Sequence, residues 1–587
     1  VSTFVAPEIA WGPMAPVLIV LLAAVVGVLV EAFVPDARRR LVQLALAALA
    51  LGGALVAVAA LWSDVAATGG TDVLGGSLVV DGPTLVLQAT VALLALLSLL
   101  VVADRLVGDE DAFAPSAASV PGSDYEELAR RRGLQQTEVY PLLLFATGGM
   151  MVFPATNDLL TLFVALEVLS LPLYLLSGMA RRRRLLSQEA SMKYFLLGAF
   201  TSAIMLFGIA LLYGYAGSLA FSDIAAATAT ANGLEGLLVV GALMLLAGLL
   251  FKVGAVPFHQ WTPDVYQGAP TPVTAFMAAC TKVAAFGALL RVVYVMLPGM
   301  TWDLSVVLWT VAAVTMVVGT VAALVQTDVK RMLAYSSIAH AGFVLTGVVA
   351  LVGSGVTAVL FYLLAYGAAS VGAFGLVTLV RERGTDADDE PAVLGEATSL
   401  TQWAGLGRTH PLLAVTFTLF LLSFAGIPLT AGFTGKFAVF SAAVEGGAWP
   451  LAVVGVLASA AAAFFYVRVI VLMFFTDPET VPATDPETDT ATDTATDTAT
   501  DTATGPASVT TDGDAATTTT APAGEAGVGT ATVTAEPVVG TRPTTVVVGG
   551  EGLTAAAVGV CAVLTVLLGV APSPVLDAIA SVATFLP

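Results

Sequence analysis

Charge is scarce in this chain of 587 residues. Asp, Glu, Lys and Arg supply 11% of it against 57% hydrophobic residues, and the mean hydropathy is +0.91. No soluble globular core buries that proportion of apolar side chain, so the composition excludes the soluble class and indicates a polytopic membrane protein. Cysteine is scarcer still. Cys280 and Cys561 lie far apart in apolar segments, which argues against both a disulfide and a cysteine metal site. A Gly-rich phosphate loop, a nucleophile elbow and a paired-histidine spacing are all absent from the sequence. The chain is therefore expected to carry no flavin, iron–sulfur cluster, nucleotide or metal of its own. A net charge of −20 argues against a nucleic-acid partner, although much of the acid excess lies in two polar stretches, 104–138 and 476–551.

Lysine is the most telling shortage. Of 23 basic residues only Lys193, Lys252, Lys282, Lys330 and Lys436 are lysines, and each sits within or at the lip of a long apolar segment. Arginines such as Arg38 to Arg40 and Arg181 to Arg184 cluster where chain leaves those segments. Guanidinium stays charged at any accessible pH, whereas a desolvated ammonium can trade its proton, so a row of buried lysines suggests a proton path. Scarce lysine with abundant Asp, Thr, Ala, Gly and Val also fits a salt-loving source of high GC content, such as a halophilic archaeon. That bias explains missing surface lysines. It does not explain five retained in apolar surroundings, where a charge costs about 2.5 to 3.5 kcal/mol or more.

At about 20 apolar residues per crossing, the sequence supplies fourteen candidate spans, near 13–34, 41–62, 80–103, 138–154, 157–179, 188–215, 233–256, 271–297, 303–326, 331–352, 355–380, 410–446, 450–475 and 553–572. The first is read as a retained helix, because it is too long for a signal-peptide core and has no basic leader. With alternate loops assigned to the two sides, the loop arginines fall on one, which the positive-inside rule makes cytoplasmic; both termini are then expected outside the cell membrane. The expected organisation is an N-terminal three-helix segment (1–103), a polar cytoplasmic loop (104–137), five-helix units at 138–297 and 303–475, a disordered acidic Thr/Ala-rich linker (476–551) and a C-terminal helix (553–587). Within 104–138, the stretch YEELARRRGLQQTE is a candidate short surface helix.

Two apolar segments are broken by proline and glycine, LLFKVGAVPFHQWTPDVYQGAPTP at 249–272 and LLSFAGIPLTAGFTGKFAVF at 421–440. Five helices per unit, an odd number, reverse orientation between copies, so an inverted repeat with one broken helix in each half is expected, with two ordinary proline kinks as the alternative. Glu167 lies near the middle of its span and is the clearest central carboxylate; it is expected to pair with Lys252 and hold it charged until a proton arrives. Lys282, without an acidic neighbour at helical spacing, reads as a relay member, as does Lys436 beside the second break. His340 could pass a proton between lysines or be merely hydrogen-bonded. Lys193 and Lys330 lie nearer the cytoplasmic edge, where a long stem can snorkel its ammonium to water, so relay and anchor stay open. His259 and Asp264 flank the first break and could admit protons or cap the loop.

FKVGAVPFHQWTPDVYQGAPTPVTAF (251–276), DVKRMLAYSSIAHAGF (328–343) and AGIPLTAGFTGKF (425–437) resemble signatures of the antiporter-like membrane subunits of proton-pumping NADH-quinone oxidoreductase, respiratory complex I. WTPDVYQGAPTPV favours the subunit N branch over the related subunits L and M, and the resemblance spans roughly 13–475. It implies an all-α polytopic membrane protein of about fourteen helices, with two inverted five-helix repeats each holding a discontinuous helix, and a chain of buried ionisable residues. On this chain those are Glu167, Lys252, Lys282 and Lys436. It also implies that quinone, iron–sulfur clusters and flavin are handled elsewhere in a complex with L-, M-, K-, J-, A- and H-like subunits. The donor could equally be a reduced deazaflavin or ferredoxin. The polar insert before the last helix departs from the usual subunit N pattern. A sodium/proton antiporter subunit of the Mrp type, without a redox partner, is the rival reading.

Overall fold

The computed structural model describes residues 10–105, 112–114, 136–229, 233–385, 391–477, 544–547 and 551–586. Its framework is helical because lipid offers no hydrogen bonds, so each crossing must satisfy its backbone internally. In chain order the helices are α1 (Trp11–Phe33), α2 (Asp36–Thr68), α3 (Gly82–Ala103), α4 (Val139–Val152), α5 (Leu159–Ser177), α6 (Arg184–Ala216), α7 (Phe221–Thr228), α8 (Glu235–Val253), α9 (Trp261–Gly268) and α10 (Thr271–Met296). They continue with α11 (Thr301–Leu324), α12 (Val329–Val349), α13 (Gly353–Leu379), α14 (Pro411–Ala425), α15 (Ala431–Glu445), α16 (Trp449–Phe475), α17 (Leu553–Val570) and α18 (Ser573–Ala580). Among the described residues 12 helices are long and apolar enough to cross a membrane. The short apolar α4 and the split α14–α15 account for the other two spans expected from the sequence.

The expected helix breaks are both present. α8 ends at Val253 and α14 at Ala425, each closed by a glycine in the left-handed region, Gly254 at φ 78° and Gly426 at φ 82°. That backbone state ends a helix without cost only for a residue lacking Cβ. The chain then resumes as α9 and α15. Burial orders the layers: over an apolar 18-residue stretch of each helix, α10 is 100% buried and α12 and α13 are each 94% buried, whereas α6 and α16 are 39% and 33% buried. The first three therefore form the interior seam between the halves, and the last two turn apolar side chains outward.

The all-α expectation misses two small sheets at helix ends. β1 (Gly70–Val73) and β2 (Leu78–Asp81) form an antiparallel hairpin between α2 and α3, with Gly70 opposite Asp81. At the opposite end, β3 (Val380–Thr385) pairs antiparallel with both β4 (Pro391–Glu396) and β5 (Thr544–Val547). β5 falls inside the stretch expected to be a disordered linker, and Glu551 at its end meets Arg40 at 2.5 Å. Strand pairing is a tertiary event that Thr/Ala-rich composition does not announce. Apart from 476–477, 544–547 and 551, that linker lies outside the described residues, as does the candidate helix YEELARRRGLQQTE except 136–138.

The hairpin ends on a buried ion pair. Asp81, N-cap of α3, accepts from Thr84 N at 3.1 Å, and its two carboxylate oxygens each accept from Arg291 Nη2 at 2.8 Å. Arg291 also donates through Nε to Pro154 O at 2.9 Å. Leu586 N donates to Asp81 at 3.1 Å, and the Phe585 ring lies 5.0 Å from the guanidinium. One pair thus ties the N-terminal helices, α10 and the C-terminal segment. Arg291 stands apart from the arginine clusters of the sequence and was not expected as a site. Breaking a buried pair by removing one partner strands the other charge, at about 3–5 kcal/mol. Asp81→Asn is accordingly expected to lower the thermal stability of the purified protein by that order. Asp81→Asn combined with Arg291→Leu should be less damaging than the sum, and additivity in thermal unfolding would contradict this assignment.

Candidate functional site

Four buried stations follow one another through the interior. The first is Lys252, in the last turn of α8 and 2% exposed. Its Nζ donates to Ser170 Oγ of α5 at 2.8 Å and to Tyr194 Oη of α6 at 3.2 Å, and it lies 5.1 Å from the Tyr194 ring centre and 5.6 Å from that of Tyr174. Tyr194 is held by stacking on Trp261 of α9, centroids 4.6 Å apart, and Trp261 Nε1 donates to Phe251 O at 2.8 Å. The expected Glu167–Lys252 pair is not a direct contact. Glu167 sits one turn before Ser170, with Oε1 buried and without a hydrogen-bond partner, and acts on Lys252 only through its charge. A cavity of about 10 Å³ beside them, lined by Leu166, Ser170, Tyr174, Thr201, Ser202 and Lys252, has room for about one water.

Lys282 of α10 is the second station. It, not Lys252, takes up the first helix break, donating to the freed Val253 O at 2.9 Å and to Ser337 O of α12 at 3.1 Å. The last is Lys436 of α15, which serves the second break in the same way. Its Nζ donates to Phe424 O at 2.7 Å, Ala425 O at 3.1 Å and Ser459 Oγ at 2.7 Å, with the Phe343 ring centre 4.7 Å away. The end of a helix carries partial negative charge on its unbonded carbonyls, so each break is a ready cation seat. Between these two lies the third station, His340, hydrogen-bonded to Tyr362 and Tyr466 and within the electrostatic reach of both Lys282 and Lys436.

The secondary candidates form a different kind of site at the arginine-rich helix ends. Lys193 is partly exposed and pairs with Glu189 at 2.6 Å and Asp264 at 3.0 Å, and Asp264 also accepts from Arg331 at 2.8 Å. Lys330 does not snorkel. It is 2% exposed and donates to Ala269 O at 2.9 Å and Glu396 at 3.3 Å, while Thr271 and Arg381 approach the same carboxylate. His259 is half-buried, and burial pushes its imidazole below the usual range. The contrast is chemical: carboxylates compensate Lys193 and Lys330, whereas Lys252, Lys282 and Lys436 rest on neutral hydroxyls and carbonyls. Sequence reasoning found these lysines but missed Ser170, Tyr194, Ser459, Glu396 and the tyrosines around His340. Hydroxyls in apolar helices usually bond their own backbone, as Ser170 also does at Leu166 O, so no spacing marks those that take a lysine as well.

The profile of the family described as NADH:quinone oxidoreductase/Mrp antiporter, TM, matches residues 156–461. A relative from Beutenbergia cavernae named NADH-quinone oxidoreductase subunit N is 60% identical over 99% of this chain and 99% of its own. The chain belongs to the NADH-quinone oxidoreductase subunit N family. Another family member, from Mycobacteroides abscessus, is 56% identical over 81% of this chain and 90% of its own. These relatives are actinobacterial, so the expectation of a halophilic archaeal source finds no support. Among solved structures, a chain of respiratory complex I from Thermus thermophilus with bound aureothin is similar at 30% identity and TM-score 0.67, covering 97% of this chain and 100% of that one. A chain of the Mrp complex from Dietzia sp. DQ12-45-1b, at 24% identity and TM-score 0.70 over 97% of both chains, shares the fold. Among the described residues no cluster of three metal-ligating side chains occurs.

Burial raises the Asp264 and Glu396 carboxyls, but the facing cations outweigh it and hold both below the ordinary range: Lys193 and Arg331 at Asp264, Lys330 and Arg381 at Glu396. A depressed carboxylate contributes stability that is complete above its unfolded pKa and is lost as pH falls through the folded value. Acidification should therefore loosen the arginine-rich end first. Glu396→Gln is expected to flatten the acid limb of a thermal-stability profile, and an unchanged limb would show that Glu396 contributes nothing to it.

Proposed function

We infer that this chain is the proton-translocating membrane subunit N of an NADH-quinone oxidoreductase, in which quinone reduction by other subunits drives protons through Lys252, Lys282, His340 and Lys436. Family membership over the whole length supports the assembly. The single observation that carries the mechanism is that, among the described residues, no carboxylate bonds the three interior lysines, all at most 5% exposed. An ammonium resting on neutral acceptors gains no fixed counter-charge, so its charged and neutral forms are close enough in free energy for a neighbouring charge to tip the balance. Glu167 is that neighbour for Lys252. When Lys252 is held by Ser170 and Tyr194, the carboxylate is free to take a proton or a partner; when the lysine swings toward it, the two stabilise each other's charge. A change at one end of the row thus alters protonation at the next, step by step toward Lys436.

Quinone, iron–sulfur clusters and any flavin belong to other subunits in this reading, and the L-, M-, K-, J-, A- and H-like subunits are the partners. The arginine-rich end, with Lys193, Asp264, Arg331 and the Lys330–Glu396 pair, faces the cytoplasm of the cell membrane, and both termini face outward. His259 beside the first break admits protons, while Asp264, paired with Lys193 and Arg331, fixes the neighbouring helix ends. The rival Mrp-type sodium/proton antiporter shares this scaffold, but its complex would copurify without iron–sulfur subunits. Lys252→Arg keeps the charge and forbids its release. In the assembled complex, Lys252→Arg, Lys252→Ala and Glu167→Ala are expected to lower the number of protons moved per electron in reconstituted vesicles. A native ratio in correctly assembled Lys252→Arg complex would refute the relay.

A further inference from the structure

Three parts of the chain meet at one carboxylate. Glu396, the last residue of β4, accepts from the Thr271 hydroxyl at the start of α10 and from Lys330 of α12 at 3.3 Å, and Arg381 of β3 stands 3.9 Å away. Lys330 also donates to Ala269 O, just before α10, at 2.9 Å. The hairpin that carries Glu396 has little of its own to hold it in place. Two paired strands alone are marginal in water, and a third strand or a packed helix is needed for stability. The β3–β4 register also slips between Glu382 and Arg383, and such a bulge disrupts the ladder where it falls.

β5 supplies what the hairpin lacks. It pairs antiparallel with β3 in unbroken register, Val380 with Val547, Arg381 with Val546, Glu382 with Thr545 and Arg383 with Thr544, and so runs straight across the slip. Val546, Arg381 and Glu396 stand opposite one another on the three strands. The strand is itself fastened on both flanks. Thr545 Oγ1 donates to Gln402 O at 2.6 Å, and Gln402 closes a capping box with Ser399 in the turn after β4. On the other flank Glu551 pairs with Arg40 of α2 at 2.5 Å, its N donates to Arg105 O at 3.1 Å, and Thr554 N of α17 donates to Asp104 Oδ2 at 3.0 Å. The ends of α2 and α3 are thereby joined, through β5, to the hairpin that follows α13.

We propose that β5 is a clasp that positions Glu396: paired on β3 it keeps the carboxylate seated on Lys330 and on the first turn of α10, and without it that seat comes apart. The polar insert returns a working strand to the fold, and this holds whether or not the lysine row carries protons. Glu396 is faced by Lys330 from α12, Arg381 from β3 and the Thr271 hydroxyl from α10. These groups stabilise its charged form only while the hairpin holds it among them, so the pH-dependent part of stability that Glu396 contributes depends on β5. The strand itself, Thr544–Val547, reads Thr-Thr-Val-Val and brings no titratable side chain. Detaching it should therefore remove a pH-dependent contribution without removing any ionisable group, which a merely structural strand would not do.

The test uses the full chain carrying Thr545→Pro together with Val546→Pro, beside Glu396→Gln and the combination of all three. Of two successive strand residues one turns its N–H toward the neighbouring strand, and proline has none, so the paired substitution breaks the ladder whichever it is. Faster amide exchange across Val380–Arg383 marks the loss of β5. The acid limb of the thermal-stability profile should then flatten to the level of Glu396→Gln, and the combination should flatten no further, because both changes act at one carboxylate. A native acid limb in the proline variant beside a flattened one in Glu396→Gln overturns the clasp, as does additive flattening in the combination. An unaltered limb in every variant overturns the seat at Glu396 and the clasp with it. If the proline variant does not fold, hydrogen exchange of the native chain decides. Amides of β5, of β3 and of the Glu396–Ala397 segment that open at one shared rate support the clasp. Amides of β5 that exchange freely while the hairpin stays protected overturn it.

Discussion

A buried ammonium in an apolar interior must find acceptors for its protons, and the rest of this architecture can be read as the supply of those acceptors. Two helices are interrupted at Gly254 and Gly426, and the carbonyls freed at Val253, Phe424 and Ala425 seat Lys282 and Lys436. An unbroken α8 or α14 would spend those carbonyls on its own hydrogen bonds. Lys282 would then keep only Ser337 O and Lys436 only Ser459 Oγ as acceptors, leaving donors unsatisfied at a cost of several kcal/mol in lipid. Helix break and lysine are therefore parts of one device. The same requirement explains the hydroxyl pair at Lys252, where α8 is still continuous and its carbonyls are occupied.

The division between compensated and uncompensated lysines separates charges held in ion pairs from charges seated on neutral groups. Lys193 and Lys330 meet carboxylates at the helix ends, and Arg291 meets Asp81 deep at the opposite end. These pairs hold neighbouring parts of the chain together: Lys330 and Glu396 join α12 to the β3–β4 hairpin, and Arg291 and Asp81 join α10 to the N-terminal hairpin and the C-terminal segment. A permanently paired charge resists titration, which suits a fixed joint. A charge on neutral acceptors lacks that restraint, which suits the proposed relay. The ion pairs lie toward the helix ends, and the lysines on neutral acceptors lie in the interior between them.

The sequence announced the fold clearly where physics is local. Long apolar runs specify spans whatever surrounds them, and Gly with Pro in VGAVP and AGIPL marks breaks because each removes a backbone option. Lysines in apolar segments were visible for the same reason: the cost of an isolated charge is apparent without knowing its neighbours. The linker reading gave way at Thr544–Val547, where a short polar run finds an edge on β3. Strand pairing with a partner more than a hundred residues away has no local signature.

Sequence alone thus determined which apolar runs can cross, where two helices must stop and which ammonium groups are stranded in the interior. Only the tertiary structure decided what each of them touches. Lys282 rather than Lys252 occupies the first break, Glu167 stands apart from Lys252, Lys330 turns inward to Glu396, and His340 lies between two tyrosines from separate helices. The reason is one of range. Desolvation and backbone geometry act on a residue wherever it goes, whereas a hydrogen bond depends on helix rotation and register to within a few tenths of an ångström, and these are set by packing over the whole interior.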